Sequence, residues 1–286
     1  MILIADSGST KTEWNILSDQ GLIKSLLTSG INPFYQDTEN IAAILIEEFS
    51  SSHRKFDSIC FYGAGCINPE KQEIVKRALL KVFSSNDIFV GSDLLAATRA
   101  LCQDQPGVAC ILGTGSNSCY YNGNEIVDQV SPLGFILGDE GSGAVLGKKL
   151  LSDVLKKQLS SFLTDAFFET YHTNAAEILE NVYKRPFPSR YLAGYTKFLS
   201  KNIQHPEIEQ IVISGFQEFV TRNLLQYSKI KDVPVHFAGG VAFYFEPQLR
   251  KVIEQHNLHL GQIIQAPMDG LMTYHLNKLT AQNITQ

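Results

Sequence analysis

Apolar positions fall in short runs along this chain, broken by clusters of small and turn-forming residues. Residues 2–5 form a first apolar run, and residues 13–17 and 22–28 are strand-like. Ser18-Asp19-Gln20-Gly21 between the latter two has the composition of a turn. A helix is predicted over 38–49 and a buried strand over 59–62 that ends in Gly63-Ala64-Gly65. Pro69 fits the first turn of a helix running to residue 83. A strand over 88–90 and a helix over 93–101 follow.

Near Pro106-Gly107 the same order begins again. Residues 108–112 read as a strand and residues 113–118 as a loop of small residues. Residues 119–121 and 126–130 flank Asn122-Gly123-Asn124, a hairpin turn. Asp6-Ser7-Gly8-Ser9-Thr10 can be laid beside Gly113-Thr114-Gly115-Ser116-Asn117, each after an apolar strand and before a hairpin. The duplication predicts two related α/β halves. From 142 to about 227 the pattern is largely helical, interrupted at Pro186 and Pro188. Residues 233–238 return to strand, Gly239-Gly240-Val241-Ala242 is a tight loop opening a helix, and residues 270–279 read as a last helix.

The 286 residues allow one large domain or two smaller ones, and 44% hydrophobic and 19% charged residues are ordinary globular values. A net charge of −5 opposes general nucleic-acid binding, which needs a basic face. Cys60, Cys66, Cys102, Cys110 and Cys119 form no CxxC pair, so buried free thiols in a reducing compartment are expected. The N-terminus lacks the basic lead of a signal peptide, and the apolar run 237–245 is far short of a membrane span. A cytoplasmic protein without membrane or nucleic-acid partners is therefore expected.

Several loops carry candidate chemistry. In the first, small hydroxyl residues and Gly8 could wrap a phosphate, and Asp6 at the strand end could hold hydrated Mg²⁺. A plain hairpin turn with a capping aspartate has the same composition. Lys11 could touch a phosphate or remain a solvated charge. The loop at 113–118 offers the same chemistry a second time. Asp93 opens a helix at a strand end, where it could accept a hydroxyl proton or merely cap the helix. In the stretch from Gly134 to Gly143, Asp139 and Glu140 sit among four glycines. There a carboxylate could cap the next helix or accept hydrogen bonds from ligand hydroxyls. Gly239 and Gly240 could let a nucleoside lie against bare backbone, or simply permit close packing. The seven histidines show no metal spacing.

Taken together, Asp6-Ser7-Gly8-Ser9-Thr10-Lys11-Thr12, Gly91-Ser92-Asp93-Leu94-Leu95-Ala96-Ala97, Leu112-Gly113-Thr114-Gly115-Ser116-Asn117, Leu137-Gly138-Asp139-Glu140-Gly141-Ser142 and Ala238-Gly239-Gly240-Val241-Ala242 resemble a known family. They are similar to the N-acetylglucosamine kinase branch of the BadF/BadG/BcrA/BcrD-type ATPases, in the actin, hexokinase and Hsp70-like superfamily. The resemblance implies an α/β protein of two ribonuclease H-like domains flanking an ATP and sugar cleft. It places an N-terminal domain at 1–105, joined by a C-terminal helix at about 268–286, and a second domain at 106–267. It implies ATP and Mg²⁺ as cofactors. Ser9, Thr10 and Lys11 in the first hairpin, Gly113, Thr114, Gly115 and Ser116 in the second, and Gly239 and Gly240 would hold the nucleotide. Asp6 would hold Mg²⁺ through water. Asn32, Gly134 and Asp139 would bind sugar, and Asp93 would be the base toward its 6-hydroxyl. A homodimer is the expected assembly.

One position departs from the pattern: Leu133 stands where the mammalian enzyme has a sugar-contacting tryptophan. N-acetylglucosamine is the first expectation, with N-acetylmuramate or glucosamine as alternatives. An ATPase that activates a radical dehydratase is a second reading, but Cys102 and Cys110 lack that family's surrounding pattern. A sugar-sensing repressor is a third, and the sequence shows no helix-turn-helix head.

Overall fold

The computed structural model describes residues 1–8, 11–49 and 54–284, with side chains as far as residue 279. The chain divides into two compact units, Met1–Asp104 with Pro267–Gln286, and Gln105–Ala266.

In the first unit the chain runs β1 (Ile2–Ser7), β2 (Lys11–Ser18), β3 (Gly21–Ser29), α1 (Thr38–Glu48), β4 (Ser58–Gly63), α2 (Pro69–Val82), β5 (Asp87–Ser92) and α3 (Asp93–Cys102). The sheet order is β3-β2-β1-β4-β5. The β1–β2–β3 meander is antiparallel, while β4 and β5 run parallel to β1. Ser7 therefore lies opposite Gly63, and Gly63 opposite Ser92, so the carboxyl ends of β1, β4 and β5 share one edge. Helix starts are fixed locally: Asn68 caps α2 by accepting from the Lys71 N–H at 2.9 Å, and Pro69 takes the first helical position. Trp14, Phe49, Phe61 and Phe83 fill the core between sheet and helices. The buried indole of Trp14 donates to Thr28 Oγ1 at 2.9 Å, which satisfies its polar atom.

The second unit contains β6 (Pro106–Leu112), β7 (Ser116–Asn122), β8 (Ile126–Asp128), α4 (Gly134–Leu137), α5 (Gly143–Leu155), α6 (Ser161–Tyr171), α7 (Ala175–Tyr183), α8 (Pro188–Ala193), α9 (Thr196–Lys201), α10 (Pro206–Arg222), β9 (Val235–Ala238), α11 (Gly240–Tyr244), α12 (Glu246–Gln255) and β10 (Leu260–Ile264). Its sheet order, β10-β9-β6-β7-β8, repeats that of the first unit read from the other edge. An antiparallel meander again leads into two strands parallel to its first. Phe216, Phe219 and Phe237 sit in its core with Leu146 and Leu150 of α5. The last helix, α13 (Met268–Ile284), belongs to the first unit, where Gly270 lies so close to α3 that a Cβ would stand 2.6 Å from the Ala100 carbonyl oxygen.

Two expectations need correction. The loop expected at 113–118 ends at Gly115, because residues 116–118 are already strand. Ser118 is buried there and bonds the Tyr227 hydroxyl at 2.8 Å, so a run of small polar residues can enter a sheet when each has a partner. The stretch from Gly134 does not run as one loop into a helix: it first makes the single turn α4, entered through a left-handed Leu133 at φ 60°. Strand β10 and helix α12 had no place in the sequence reading.

Candidate functional site

In the first unit the shared edge of β1, β4 and β5 carries Asp6 and Asp93. Burial, then the charge of Asp93 and that of Glu13, push the Asp6 carboxyl up to about 7. Among the described residues its carboxylate makes no hydrogen bond. Burial also pushes Asp93 upward, opposed by hydrogen bonds from the backbone, among them the Leu94 N–H at 2.9 Å. The cap of α3 is Ser92, whose hydroxyl accepts from the Leu95 N–H at 3.2 Å. Asp93 is the first helical residue, so its carboxylate is not needed to end the helix.

Ser7 ties the neighbouring loop to this edge. Its hydroxyl bonds Thr12 Oγ1 at 2.7 Å and accepts from the Ile31 N–H at 3.0 Å, which fixes the segment leading to Asn32. Asn32 is buried, and its Oδ1 accepts from the Phe34 N–H at 3.0 Å. The turn after β4 is held by the Ala64 N–H donating to the Ser7 carbonyl at 2.8 Å. Asp6, Asn32 and Asp93 thus stand on elements that Ser7, Gly63 and Ser92 bring to one edge. Lys11 opens β2 and is exposed, with the hairpin closed by the Gly8 N–H donating to its carbonyl at 3.0 Å. Ser9 and Thr10 lie outside the described residues.

The second unit assembles a different set. Gly113 to Gly115 form a tight turn, closed by the Gly113 N–H on the Gly115 carbonyl at 3.0 Å. The carbonyls of Gly113 and Thr114 accept the Gly143 and Ala144 N–H groups of α5 at 2.8 and 3.0 Å. The Thr114 side chain faces outward, and among the described residues the N–H groups of Thr114 and Gly115 donate to no protein acceptor. Asp139, left-handed at φ 54°, turns its carboxylate to the Ser116 N–H at 3.2 Å. Burial raises its pKa, the Ser116 N–H lowers it, and Glu140 raises it further. A Cβ on Gly115 would stand 3.0 Å from Asp139 Oδ2, so a larger residue there would press on the Asp139 carboxylate. Glu140 serves the scaffold: it pairs with Arg222 at 2.6 Å and accepts from Asn223 at 3.2 Å. Gly134 begins the α4 turn at φ 74°, on an exposed segment.

A cavity of about 550 Å³ opens beside this turn. Gly113, Thr114, Gly240 and Val241, from two of the glycine-rich segments, form part of its wall. Gly239 has φ 116°, and a Cβ there would stand 2.4 Å from the Leu112 carbonyl oxygen, so only glycine joins β9 to α11 here. Helix α9 supplies another wall through Thr196, Lys197, Ser200 and Lys201. These four were missed in the sequence. Their only signal is the repetition of hydroxyl and lysine at a spacing of four, which a solvated helix face also shows.

For the Mg²⁺ that the resemblance implies, Asp6 is the residue whose surroundings would suit it. A carboxylate with raised pKa near two further acidic groups, and with no hydrogen-bond donor among the described residues, would be stabilised by a hard cation.

No family model matches the sequence, and a comparison with curated proteins finds no match. A solved structure from Porphyromonas gingivalis, described as a candidate N-acetylglucosamine kinase, is 45% identical over 97% of this chain and 99% of its own, with a TM-score of 0.91. The chain belongs to the N-acetylglucosamine kinase-like family. A protein of Chromobacterium violaceum with the same description is 17% identical, with a TM-score of 0.72 over 96% of this chain and 98% of its own. MreB 5 of Spiroplasma citri, solved with AMPPNP, is 12% identical, with a TM-score of 0.58 over 99% and 98% of the two chains. At these lower identities the likeness is one of fold, the actin-like α/β fold that both sheets display.

Proposed function

We propose that this member of the family transfers the γ-phosphoryl group of ATP to the 6-hydroxyl of an amino sugar, with N-acetylglucosamine as the first candidate. The observation that carries the reading is Asp93: a carboxylate at the ligand edge of the sheet, with raised pKa, relieved of capping duty by Ser92.

A sugar hydroxyl is a poor nucleophile until its proton leaves. Asp93 would accept that proton as the oxygen bonds the γ-phosphorus and the bond to the departing ADP breaks. Raised basicity suits the task, since a stronger base takes the proton more readily. The donors left over at Thr114 and Gly115 would bind phosphate oxygens, and the cavity beside Gly240 would take the nucleoside. Asp6 is the residue that would hold Mg²⁺, whose contribution is to offset phosphate charge. Asn32 and Asp139 would each bind sugar hydroxyls. Domain limits at about residues 105 and 267 accompany this reading.

All five cysteines are buried and none forms a disulfide, so the structure exposes no cysteine pair of the kind the activator reading calls for. The direct test is a coupled ADP-release assay with N-acetylglucosamine, glucosamine, N-acetylmannosamine and N-acetylmuramate, with phosphorus NMR of the product. Sugar-dependent ADP release and a 6-phosphate are expected. ADP release that no sugar stimulates would overturn the proposal.

A further inference from the structure

We propose that Phe34 is a specificity-determining residue that stacks its ring against the apolar C–H face of the sugar; the inference rests on the kinase reading above. Phe34 and Tyr35 are large aromatic residues, 51% and 74% exposed, that directly follow the buried stretch from Gly30 to Pro33. The half-exposed Phe34 ring therefore leaves apolar surface open on backbone that is firmly held.

The segment is held tightly. Asn32 Oδ1 accepts from the Phe34 N–H at 3.0 Å, and the Asn32 carbonyl accepts from the Tyr35 and Gln36 N–H groups at 3.0 and 3.2 Å. Gln36 closes it with Oε1 on the Asn32 N–H at 2.7 Å and Nε2 on the Gly30 carbonyl at 3.2 Å. The Phe34 ring has neighbours over one face and along one edge. The Lys71 ammonium lies 5.0 Å from its centroid, and the bare backbone of Gly65 backs it. A Cβ on Gly65, at φ 84°, would stand 3.0 Å from the ring and 2.4 Å from Asn32 Oδ1.

Position relative to the proposed base distinguishes Phe34 from an ordinary exposed aromatic. The turn after β4 carries Gly65 against Phe34 and Asn32, and the next residue, Cys66, has its thiol pushed up to about 12 by burial and by the charge of Asp93. One turn thus touches the aromatic ring on one side and feels the carboxylate on the other. Flat apolar surface beside hydrogen-bonding side chains suits a pyranose, which presents C–H groups on its faces and hydroxyls at its rim.

The test is steady-state kinetics with N-acetylglucosamine and ATP on wild type, Phe34→Ala, Phe34→Trp and Tyr35→Ala. Phe34→Ala is expected to raise KM for the sugar about tenfold, the scale of losing a half-buried aromatic contact, with KM for ATP unchanged. Phe34→Trp should restore most of the sugar affinity, and Tyr35→Ala should behave as wild type. An unchanged sugar KM in Phe34→Ala would overturn the inference while leaving the kinase intact. So would an equal rise in Tyr35→Ala, since that marks loss of loop order rather than of the ring. Wild type inactive with every amino sugar overturns the kinase reading and this inference with it.

Discussion

Ser92 caps the helix that Asp93 begins: the serine hydroxyl accepts from the Leu95 N–H, and the aspartate carboxylate accepts from its immediate neighbour, Leu94. The two residues therefore separate structural from chemical duty, and substitutions should separate them too. Ser92→Ala is expected to lower stability by about 1 kcal/mol, as loss of a helix cap does. Asp93→Asn removes a carboxylate whose ionisation burial opposes, so denaturant melts should show no loss. Equal losses in the two variants would return Asp93 to a capping role.

Asp6 makes stability depend on pH. Its carboxyl titrates near 7 in the fold against 3.8 for the free side chain, so between those values the folded state holds a proton that the unfolded state has lost. Stability should therefore fall as pH rises from about 4 to about 7, and Asp93, shifted in the same direction, adds to the trend. Without magnesium, Asp6→Asn should melt higher than wild type at pH 8 and like wild type near pH 4. Thermal melts at both pH values measure the difference, and a variant less stable at pH 8 would contradict it.

His275 of α13 sits buried against Tyr62, with Nε2 2.9 Å from the phenol oxygen, while Arg99 donates to the same oxygen at 2.6 Å. Burial and the Arg99 charge bring the imidazole down to about 4. A proton NMR titration should find a histidine still neutral at pH 5.5 whose signal vanishes in His275→Gln. Below pH 6.5 the unfolded chain takes up this proton first, so the contact's contribution to stability declines as pH falls toward 4. A midpoint near 6.5 for His275 would contradict the burial.

The second glycine-rich turn presents Thr114 outward while its carbonyl is bonded to the Ala144 N–H at 3.0 Å. Thr114→Asp should therefore fold normally and place a negative charge against bound phosphate. Calorimetry should show ATP binding weakened about tenfold or more. Unchanged affinity would remove this turn from the nucleotide site.

Much of this was legible where local chemistry dictates geometry. Apolar runs ending in small residues gave β1 and β4, Pro69 gave the start of α2, and the repeated hairpin anticipated two sheets of one topology. What stayed hidden depends on partners distant in sequence. Ser118 is strand because Tyr227 accepts or donates to its hydroxyl. Glu140 is held by Arg222 and Asn223. β10 went unread, and the Gly261 that breaks its apolar run is where a Cβ would meet the His236 ring at 2.4 Å. Lys197 and Lys201 looked like any solvated helix face until the fold set them beside Gly240.

The most direct test of the central claim is the turnover of Asp93→Asn with the sugar that wild type phosphorylates, measured together with its affinity for ATP. Asparagine keeps the size of the side chain but cannot take the hydroxyl proton as a carboxylate does. The prediction is a fall in kcat of about 10² or more with ATP affinity nearly intact. Near-normal turnover in the folded variant would contradict the assignment of Asp93 as the base.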